Sequence, residues 1–156
     1  MGKNKYRFKG HESFILREGW LNKGLYEVDR NPKVFSENYG ADALGVGPNM
    51  AKAIRYWLRA AELVTDSPKT GVMLTAIGQL ILAHDPCVED YFTLWLIHCK
   101  IAKNRELATA WNLFFNEVSY EEFKKQQLYD EMETLLSDLD DEVQVAHSSV
   151  YADCDA

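Results

Sequence analysis

The sequence predicts a mainly α-helical protein: a winged helix-turn-helix domain with one short β-hairpin, followed by a helical hairpin or bundle. Three observations support this prediction. Residues 45–61 read as a tight turn followed by an amphipathic helix, residues 63–75 as two short strands joined by a turn, and residues 76–83 as another helix. A helix-turn-helix unit that is followed by a hairpin and a further helix has the element order of a winged helix.

The helix after the Gly45–Pro48 turn has two distinct faces. One is an apolar stripe with helical spacing, formed by Met50, Ile54, Trp57, Leu58 and Ala61. The other carries the candidate DNA-binding residues Lys52, Arg55, Tyr56 and Arg59. A basic face of this kind is typical of a recognition helix whose side chains meet phosphates and base edges. An ordinary amphipathic helix with a solvated basic face shows the same pattern, so both interpretations stay open here.

The segment that follows this helix predicts a hairpin. Residues 63–66 and 72–75 read as strands, and the turn-forming cluster Ser67–Gly71 separates them. Lys69 lies at the predicted tip, where the wing of a winged helix contacts a phosphate backbone. Thr75 is suited to cap the next helix, because its hydroxyl can accept a bond from a free backbone N–H.

The remaining periodicity predicts further helices. A helix near residues 18–28 is expected before Asn31–Pro32, and another over about 34–44. Helices near 89–101 and 105–117 form a predicted helical hairpin, in which Trp95 and Trp111 should be largely buried. Ser119–Glu122 matches a capping box that would open a helix ending near Leu139. The expected organisation is a winged domain over residues 1–86, a helical extension over 87–142, and the start of a truncated C-terminal region over 143–156.

Charge divides unevenly along the chain. The net charge of −7 argues against a nucleic-acid partner at first sight. However, residues 1–60 hold 11 Lys and Arg against 6 Asp and Glu, whereas residues 61–156 hold 6 against 18. The half with the predicted recognition helix is therefore basic, and the acidic half should face away from DNA or toward a protein partner.

Composition also limits cellular location. No run of about 18 apolar residues occurs, so no membrane-spanning helix is expected. The basic N-terminus lacks a following apolar stretch, so a secretory signal is not expected either. Three cysteines without CxxC spacing indicate reduced thiols and no structural zinc site. These features predict a cytoplasmic protein.

Catalysis has little support in the sequence. A polar cluster of His11, Glu12, Arg17 and Glu18 could serve acid–base or metal chemistry, but metal-ligand spacings such as HxxxH are missing. We interpret this cluster as a structural hydrogen-bond network. Cys99, next to His98, is interpreted as a packed core thiol. Gly45–Asn49 is not followed by the Gly-Lys-Ser/Thr of a Walker loop. The sequence thus predicts no catalytic residues, no metal and no cofactor.

Three blocks of sequence, residues 8–21, 44–57 and 94–116, resemble a bacterial family known only as domain of unknown function four thousand and seven. The resemblance implies a genomic setting beside genes for DNA phosphorothioation and phage defence, including a cysteine desulfurase and a sulfurtransferase. It therefore implies a DNA-binding accessory subunit, with such enzymes as its protein partners.

Two functional hypotheses follow from the sequence. In the first, the chain is a subunit that binds duplex DNA through its winged domain, which the basic first half favours. In the second, it is an adaptor that holds partner proteins on a winged-helix scaffold without contacting DNA. The overall acidity and the aromatic helical hairpin favour the second hypothesis.

Overall fold

A computed structural model of the protein describes residues 6–120, 122–139 and 145–155. This part of the chain is mainly helical, with one antiparallel two-stranded hairpin. The helices are α1 (Trp20–Arg30), α2 (Ala41–Leu44), α3 (Pro48–Ala60), α4 (Ala76–His84), α5 (Tyr91–Lys103), α6 (Thr109–Glu117), α7 (Lys125–Leu139) and α8 (His147–Cys154). The strands β1 (Val64–Ser67) and β2 (Gly71–Leu74) lie between α3 and α4. The predicted mainly helical class is therefore confirmed.

Helix α3 is central to the first hydrophobic core. Pro48 opens it, at a position where the missing N–H removes no helical hydrogen bond. Ile54, Trp57 and Leu58 are fully buried, and α1 packs against this side of the helix. Met50, at the start of the stripe, is only partly buried. The predicted apolar stripe is confirmed, and it fixes which side of α3 is left for solvent.

The single helix predicted over residues 34–44 is wrong. The chain instead forms 3-10 turns at Val34–Ser36 and Asn38–Gly40 before the short helix α2. Tyr39 and Gly40 have φ values of 56° and 82°, which an α-helix cannot contain. On a continuous helix, which turns about 100° per residue, Phe35 and Leu44 would lie on opposite sides. The bend allows both side chains to be buried in the same core.

The hairpin matches its prediction to within one residue at each strand. Val64 pairs with Leu74 and Ser67 pairs with Gly71. Gly71 has φ +96°, and a Cβ there would lie 2.3 Å from the Pro32 carbonyl oxygen, so a side chain is excluded. The adjacent Val72 N–H donates to that carbonyl at 2.7 Å. The loop after α1 therefore closes against β2.

The cap predicted at the start of α4 is confirmed. The Thr75 hydroxyl accepts a hydrogen bond from the Gly78 N–H at 3.1 Å, which satisfies one of the free donors at the helix start. The same hydroxyl lies 2.8 Å from the Glu62 carbonyl oxygen, to which it donates. Thr75 thus ties α4 to the end of α3 as well as capping it.

Helix α5 corrects the predicted burial of one tryptophan. Ile97 and Ile101 enter the first core, but Trp95 is 66% exposed, so its predicted burial is wrong. Trp111 on α6 is partly buried, and its ring centroid lies 5.6 Å from that of Trp57. Helix α5 is apolar on more than one side, and a helix can turn only one side toward a single core.

Other residues on the outer side of these helices are also exposed. Tyr91 and Phe92 are 83% and 76% exposed, and Phe115 on α6 is 48% exposed. Cys99 is exposed too, so its interpretation as a packed core thiol is wrong. We call Tyr91, Phe92 and Trp95 the α5 aromatic face.

Helix α7 begins later than its sequence predicts. It starts at Lys125, so Ser119 does not cap it, and Glu121 of the predicted capping box lies outside the described residues. Leu128, Met132 and Leu136 are buried on one side of the helix, as their spacing indicates. With Leu113 of α6 and Val150 of α8 they form a second hydrophobic core.

The N-terminal segment, residues 6–19, connects the two cores. Phe14 packs against the first core and Phe8 against the second. None of the described helices combines the length and apolar character needed to cross a bilayer. The boundaries after residues 86 and 142 stay predictions, and residues 142 and 143 lie outside the described part of the chain.

Candidate nucleic-acid interface

Three predicted cations lie along one side of α3. Lys52, Arg55 and Arg59 follow each other at intervals of three and four residues, which places them on neighbouring turns of the helix. All three side chains are partly exposed, whereas Ile54, Trp57 and Leu58 point into the core. The sequence therefore identified the basic side of α3 correctly.

Tyr56 does not share this exposed face, which corrects the prediction for it. Its side chain is only 7% exposed, and its hydroxyl donates to the Leu107 carbonyl oxygen at 2.9 Å. Burial raises the pKa of the Tyr56 phenol above its ordinary value, and the nearby Asp153 carboxylate acts in the same direction. Tyr56 therefore stays neutral and supports the site from beneath rather than contacting a ligand.

A fourth cation, Arg7, comes from the N-terminal segment. Its guanidinium lies over the Tyr56 ring at 5.5 Å, and its backbone N–H donates to Thr109 Oγ1 at 2.8 Å. Gly10 allows this close approach, because a Cβ there would lie 2.3 Å from the Tyr56 ring. Sequence reasoning missed Arg7 as a site residue. The basic composition of residues 1–10 was the one local signal for it.

These cations converge on an open cavity of about 240 Å³, which we call the basic cavity. Its lining residues are Arg7, Gly10, Glu12, Tyr39, Lys52, Arg55, Tyr56 and Arg59. Four of them are cationic and one, Glu12, is acidic, so the lining carries a net positive charge. Guanidinium groups present planar pairs of donors that match phosphate oxygens. The basic cavity therefore has the charge and the donors to hold a phosphate group.

Arg55 and Arg59 share one carboxylate from the hairpin. Arg55 Nη2 donates to Asp66 Oδ1 at 2.7 Å, and Arg59 Nε donates to Asp66 Oδ2 at 3.0 Å. The Arg55 guanidinium also lies over the Phe35 ring at 5.6 Å. Strand β1 is thereby attached to α3 by ion pairs as well as by the core.

Lys52 has two neighbours near the start of α3. Its Nζ donates to Asn49 Oδ1 at 3.2 Å and lies 4.5 Å from the centroid of the Tyr39 ring. The left-handed backbone at Tyr39 places this ring, which is half exposed, beside the ammonium group. The unpredicted bend after Phe35 therefore shapes one wall of the basic cavity.

Lys69 lies apart from the other predicted cations. It is exposed in the turn between β1 and β2, and it does not line the basic cavity. A second cavity of about 370 Å³ separates the hairpin from the loop after α1, and Arg55 and Asp66 line it together with Pro68 of the turn. Lys69 thus sits at the hairpin tip, as its place in the sequence indicated.

The predicted polar network of His11, Glu12, Arg17 and Glu18 does not form among the described residues. His11 is 2% exposed, and its Nε2–H donates to Asp153 Oδ1 of α8 at 2.6 Å. Its ring also stacks on Trp57, with centroids 5.7 Å apart. Glu12, Arg17 and Glu18 are exposed, and the Arg17 guanidinium lies over the Phe14 and Trp20 rings. The true partner of His11 is distant in sequence, so local spacing could not reveal it.

Among the described residues, no group of three or more His, Cys, Asp and Glu side chains is arranged to hold a metal ion. His11 and Asp153 form a buried pair, but a metal site needs more ligands than these two.

Two solved structures resemble this fold over nearly the whole chain. One is a magnesium-ion-bound crystal structure of SspB, 29% identical, with a TM-score of 0.80 over 95% of this chain and 47% of that one. The other is a crystal structure of SspB, 26% identical, with a TM-score of 0.79 over 98% of this chain and 49% of that one. This chain therefore spans about half the length of the SspB chains that it matches. No curated protein matches it.

The family assignment agrees with the sequence blocks described above. The model of a family described as protein of unknown function (DUF4007) matches residues 8–156, which includes α1 to α8, the hairpin and the segment that carries Gly10 and His11. The chain therefore belongs to the DUF4007 family.

Proposed function

We propose that this chain is a duplex-DNA-binding accessory module of a bacterial DNA-modification and phage-defence system of the phosphorothioation type. The observation that carries the proposal is the convergence of Arg7, Lys52, Arg55 and Arg59 on the basic cavity. Four cations placed around one open cavity attract an anionic partner, and a DNA backbone offers phosphates at regular spacing.

The element order supports a winged-helix interpretation of this surface. Helices α2 and α3 are joined by the Gly45–Gly47 turn, and the β1–β2 hairpin follows directly. In a winged helix-turn-helix, the helix in the place of α3 enters the major groove. The hairpin then acts as the wing, and Lys69 at its tip contacts a phosphate of the backbone beside the groove.

The proposal also places the chain in a biological setting, that of DNA phosphorothioation and phage defence. It is supported by membership of the DUF4007 family, by the genomic setting that the family resemblance implies, and by the likeness to SspB. On this proposal the module works beside a cysteine desulfurase or a sulfurtransferase in the cytoplasm, where bacterial DNA lies. The module acts by binding, and no catalytic step, metal or cofactor is assigned to it.

The charge distribution also limits the side from which DNA can approach the chain. Residues 61–156 carry 18 Asp and Glu against 6 Lys and Arg, and this acidic part includes α5 to α8. Acidic surface repels a duplex, so DNA should approach from the side of α3 and the hairpin. We therefore expect weak, salt-sensitive binding by the chain alone, with a Kd of order 10⁻⁴–10⁻⁶ M at physiological salt.

A salt series of DNA-binding measurements tests this proposal. Fluorescence anisotropy with a labelled duplex should show that Arg55→Gln plus Arg59→Gln weakens binding for every sequence tried. The slope of log K against log salt should fall by about two units, since each lost phosphate contact removes about one.

The matched control is Lys23→Gln plus Lys103→Gln, which removes the same charge from exposed positions on α1 and α5. Circular dichroism must show that both variants are folded. If the folded Arg55/Arg59 variant binds as well as the control variant, α3 does not contact DNA and the adaptor hypothesis replaces this proposal.

The α5 aromatic face favours a second candidate, a protein-binding adaptor. Tyr91, Phe92 and Trp95 are each more than half exposed, and such residues are enriched in protein interfaces. On this candidate, co-purification with a co-expressed cysteine desulfurase or sulfurtransferase should be lost in Phe92→Ser plus Trp95→Ser and kept in Arg55→Gln plus Arg59→Gln. Retained co-purification in the Phe92/Trp95 variant would contradict a role for this face.

A further inference from the structure

We propose that Asp66 is an internal counter-ion that competes with a DNA phosphate for Arg55 and Arg59, so that strand β1 limits the DNA affinity of α3. The inference rests on the proposed function, because it concerns the regulation of the same site. It assigns a role to an acidic residue of the hairpin, which lies beside a surface otherwise suited to bind an anion.

The geometry of the contact resembles that of a bound phosphate. Both carboxylate oxygens of Asp66 are engaged, Oδ1 by Arg55 Nη2 at 2.7 Å and Oδ2 by Arg59 Nε at 3.0 Å. A phosphate presents similar pairs of oxygens to guanidinium groups, so the two anions compete for the same donors. Asp66 lines the second cavity and not the basic cavity, but it occupies guanidinium donors of two arginines that line the basic cavity.

The three side chains remain accessible from solvent. Those of Arg55, Asp66 and Arg59 are 37%, 35% and 33% exposed. Ion pairs at this degree of exposure are individually weak, because water and salt screen them. A DNA backbone, which brings several phosphates at once, can therefore displace the carboxylate.

Asp66 leaves one donor of Arg55 without an acceptor among the described residues. Arg55 Nε is buried and has no hydrogen-bond partner within the part of the chain that the structure describes. A buried donor without a partner carries a desolvation cost that a further acceptor would relieve. Asp66 thus neutralises part of the charge on this surface without satisfying all of its donors.

A purely structural role for Asp66 makes the opposite prediction. If its main effect were to hold Arg55 and Arg59 in a binding-competent position, removing its charge would weaken DNA binding. If it is a competitor, the same change strengthens binding and steepens the salt dependence. The sign of the effect therefore distinguishes the two roles.

The test compares Asp66→Asn with Glu62→Gln in the full chain. Asparagine has nearly the size of aspartate and keeps one acceptor oxygen, so the hairpin should stay in register. Glu62 is a matched control because it is an exposed carboxylate that also pairs with a cation, Lys100 Nζ at 2.6 Å, away from the basic cavity. Both changes raise the net charge by one.

Fluorescence anisotropy with a labelled duplex, over about 50 to 200 mM salt, provides the readout. We expect Asp66→Asn to bind about threefold tighter or more at the low end of this range, with a slope of log K against log salt steeper by about one unit. Glu62→Gln should stay within about twofold of the unmodified chain, since no phosphate contact changes. Circular dichroism confirms that all proteins are folded.

The outcomes separate this inference from the proposed function. If Asp66→Asn binds no tighter than Glu62→Gln, while Arg55→Gln plus Arg59→Gln still weakens binding, the counter-ion role is wrong and the DNA site stands. If the arginine variant binds DNA as the unmodified chain does, the proposed function fails and this inference fails with it. Tighter binding by Asp66→Asn that also requires Arg55 and Arg59 supports both.

Discussion

At the scale of single residues, the pair formed by His11 and Asp153 is the most consequential contact outside the basic cavity. Both side chains are buried, and Asp153 Oδ1 accepts bonds from His11 Nε2 at 2.6 Å and from the Lys9 N–H at 2.8 Å. These bonds hold the N-terminal segment, and with it Arg7, against α8. The position of Arg7 in the basic cavity therefore depends on a residue far along the chain.

Breaking this pair should destabilise the protein. We predict that Asp153→Ala lowers the free energy of unfolding by about 1–3 kcal/mol, because it leaves the buried His11 without its acceptor. Asp153→Asn, which keeps an acceptor oxygen of the same reach, should cost less. Urea denaturation followed by circular dichroism measures both changes. Equal stability of Asp153→Ala and the unmodified chain would show that His11 finds a substitute partner.

At the scale of elements, the amphipathic helix α3 and the more apolar helix α5 differ in how they place their tryptophans. Trp57 on α3 is fully buried between His11, Tyr56 and Trp111. Trp95 on α5 is 66% exposed, although its helix is the more apolar of the two. Burial of a tryptophan, and not its presence in an apolar helix, decides how much it contributes to stability.

These two tryptophans give a paired prediction. Trp57→Ala should cost about 3–5 kcal/mol of unfolding free energy, because it removes a large buried side chain and leaves a cavity. Trp95→Ala should change stability by less than about 0.5 kcal/mol, as expected for an exposed position. Chemical denaturation of both variants provides the measurement. A large loss of stability in Trp95→Ala would mean that α5 is covered in solution.

At the scale of the whole molecule, the N-terminal segment links two hydrophobic cores. The Arg7 N–H donates to Thr109 Oγ1 in the α6 region, and Phe8 joins the second core. Phe14 packs on the first core, and the Trp57 indole N–H donates to its carbonyl oxygen at 3.2 Å. The basic cavity is assembled where these connections meet, and it therefore requires both cores to be folded.

This linkage predicts cooperative unfolding. Tryptophan fluorescence, which comes from Trp20, Trp57 and Trp111 in and around the first core and from the exposed Trp95, should follow the same urea transition as far-UV circular dichroism. Since α7 and α8 belong to the second core, the circular dichroism signal includes both. Two separate transitions would show that the cores unfold independently, and the division would then lie between α5 and α6, since Ile97 and Ile101 of α5 belong to the first core.

Local sequence predicted the parts of the fold that depend on neighbouring residues. The stripe of α3, the hairpin and the Thr75 cap are set by spacings of a few positions, so periodicity and turn chemistry were sufficient. The single helix predicted over residues 34–44 was wrong, because burial of Phe35 with Leu44 in one core outweighed helical continuity. The capping box at residues 119–122 was wrong as the start of α7, which begins at Lys125. For the candidate site, sequence alone identified Lys52, Arg55 and Arg59.

What only the tertiary structure decided is which neighbouring side chains face solvent and which residues complete the basic cavity. Tyr56 directly follows Arg55, yet it is buried because Leu107 and the N-terminal segment cover that side of α3. Arg7 joins the basic cavity, Asp66 pairs with two of its arginines, and Trp95 is left outside the core, all through contacts between distant parts of the chain. The amino-acid sequence by itself determined the helix, its basic side and the hairpin, since these follow from local periodicity. Packing between distant segments, which no local pattern encodes, determined the rest.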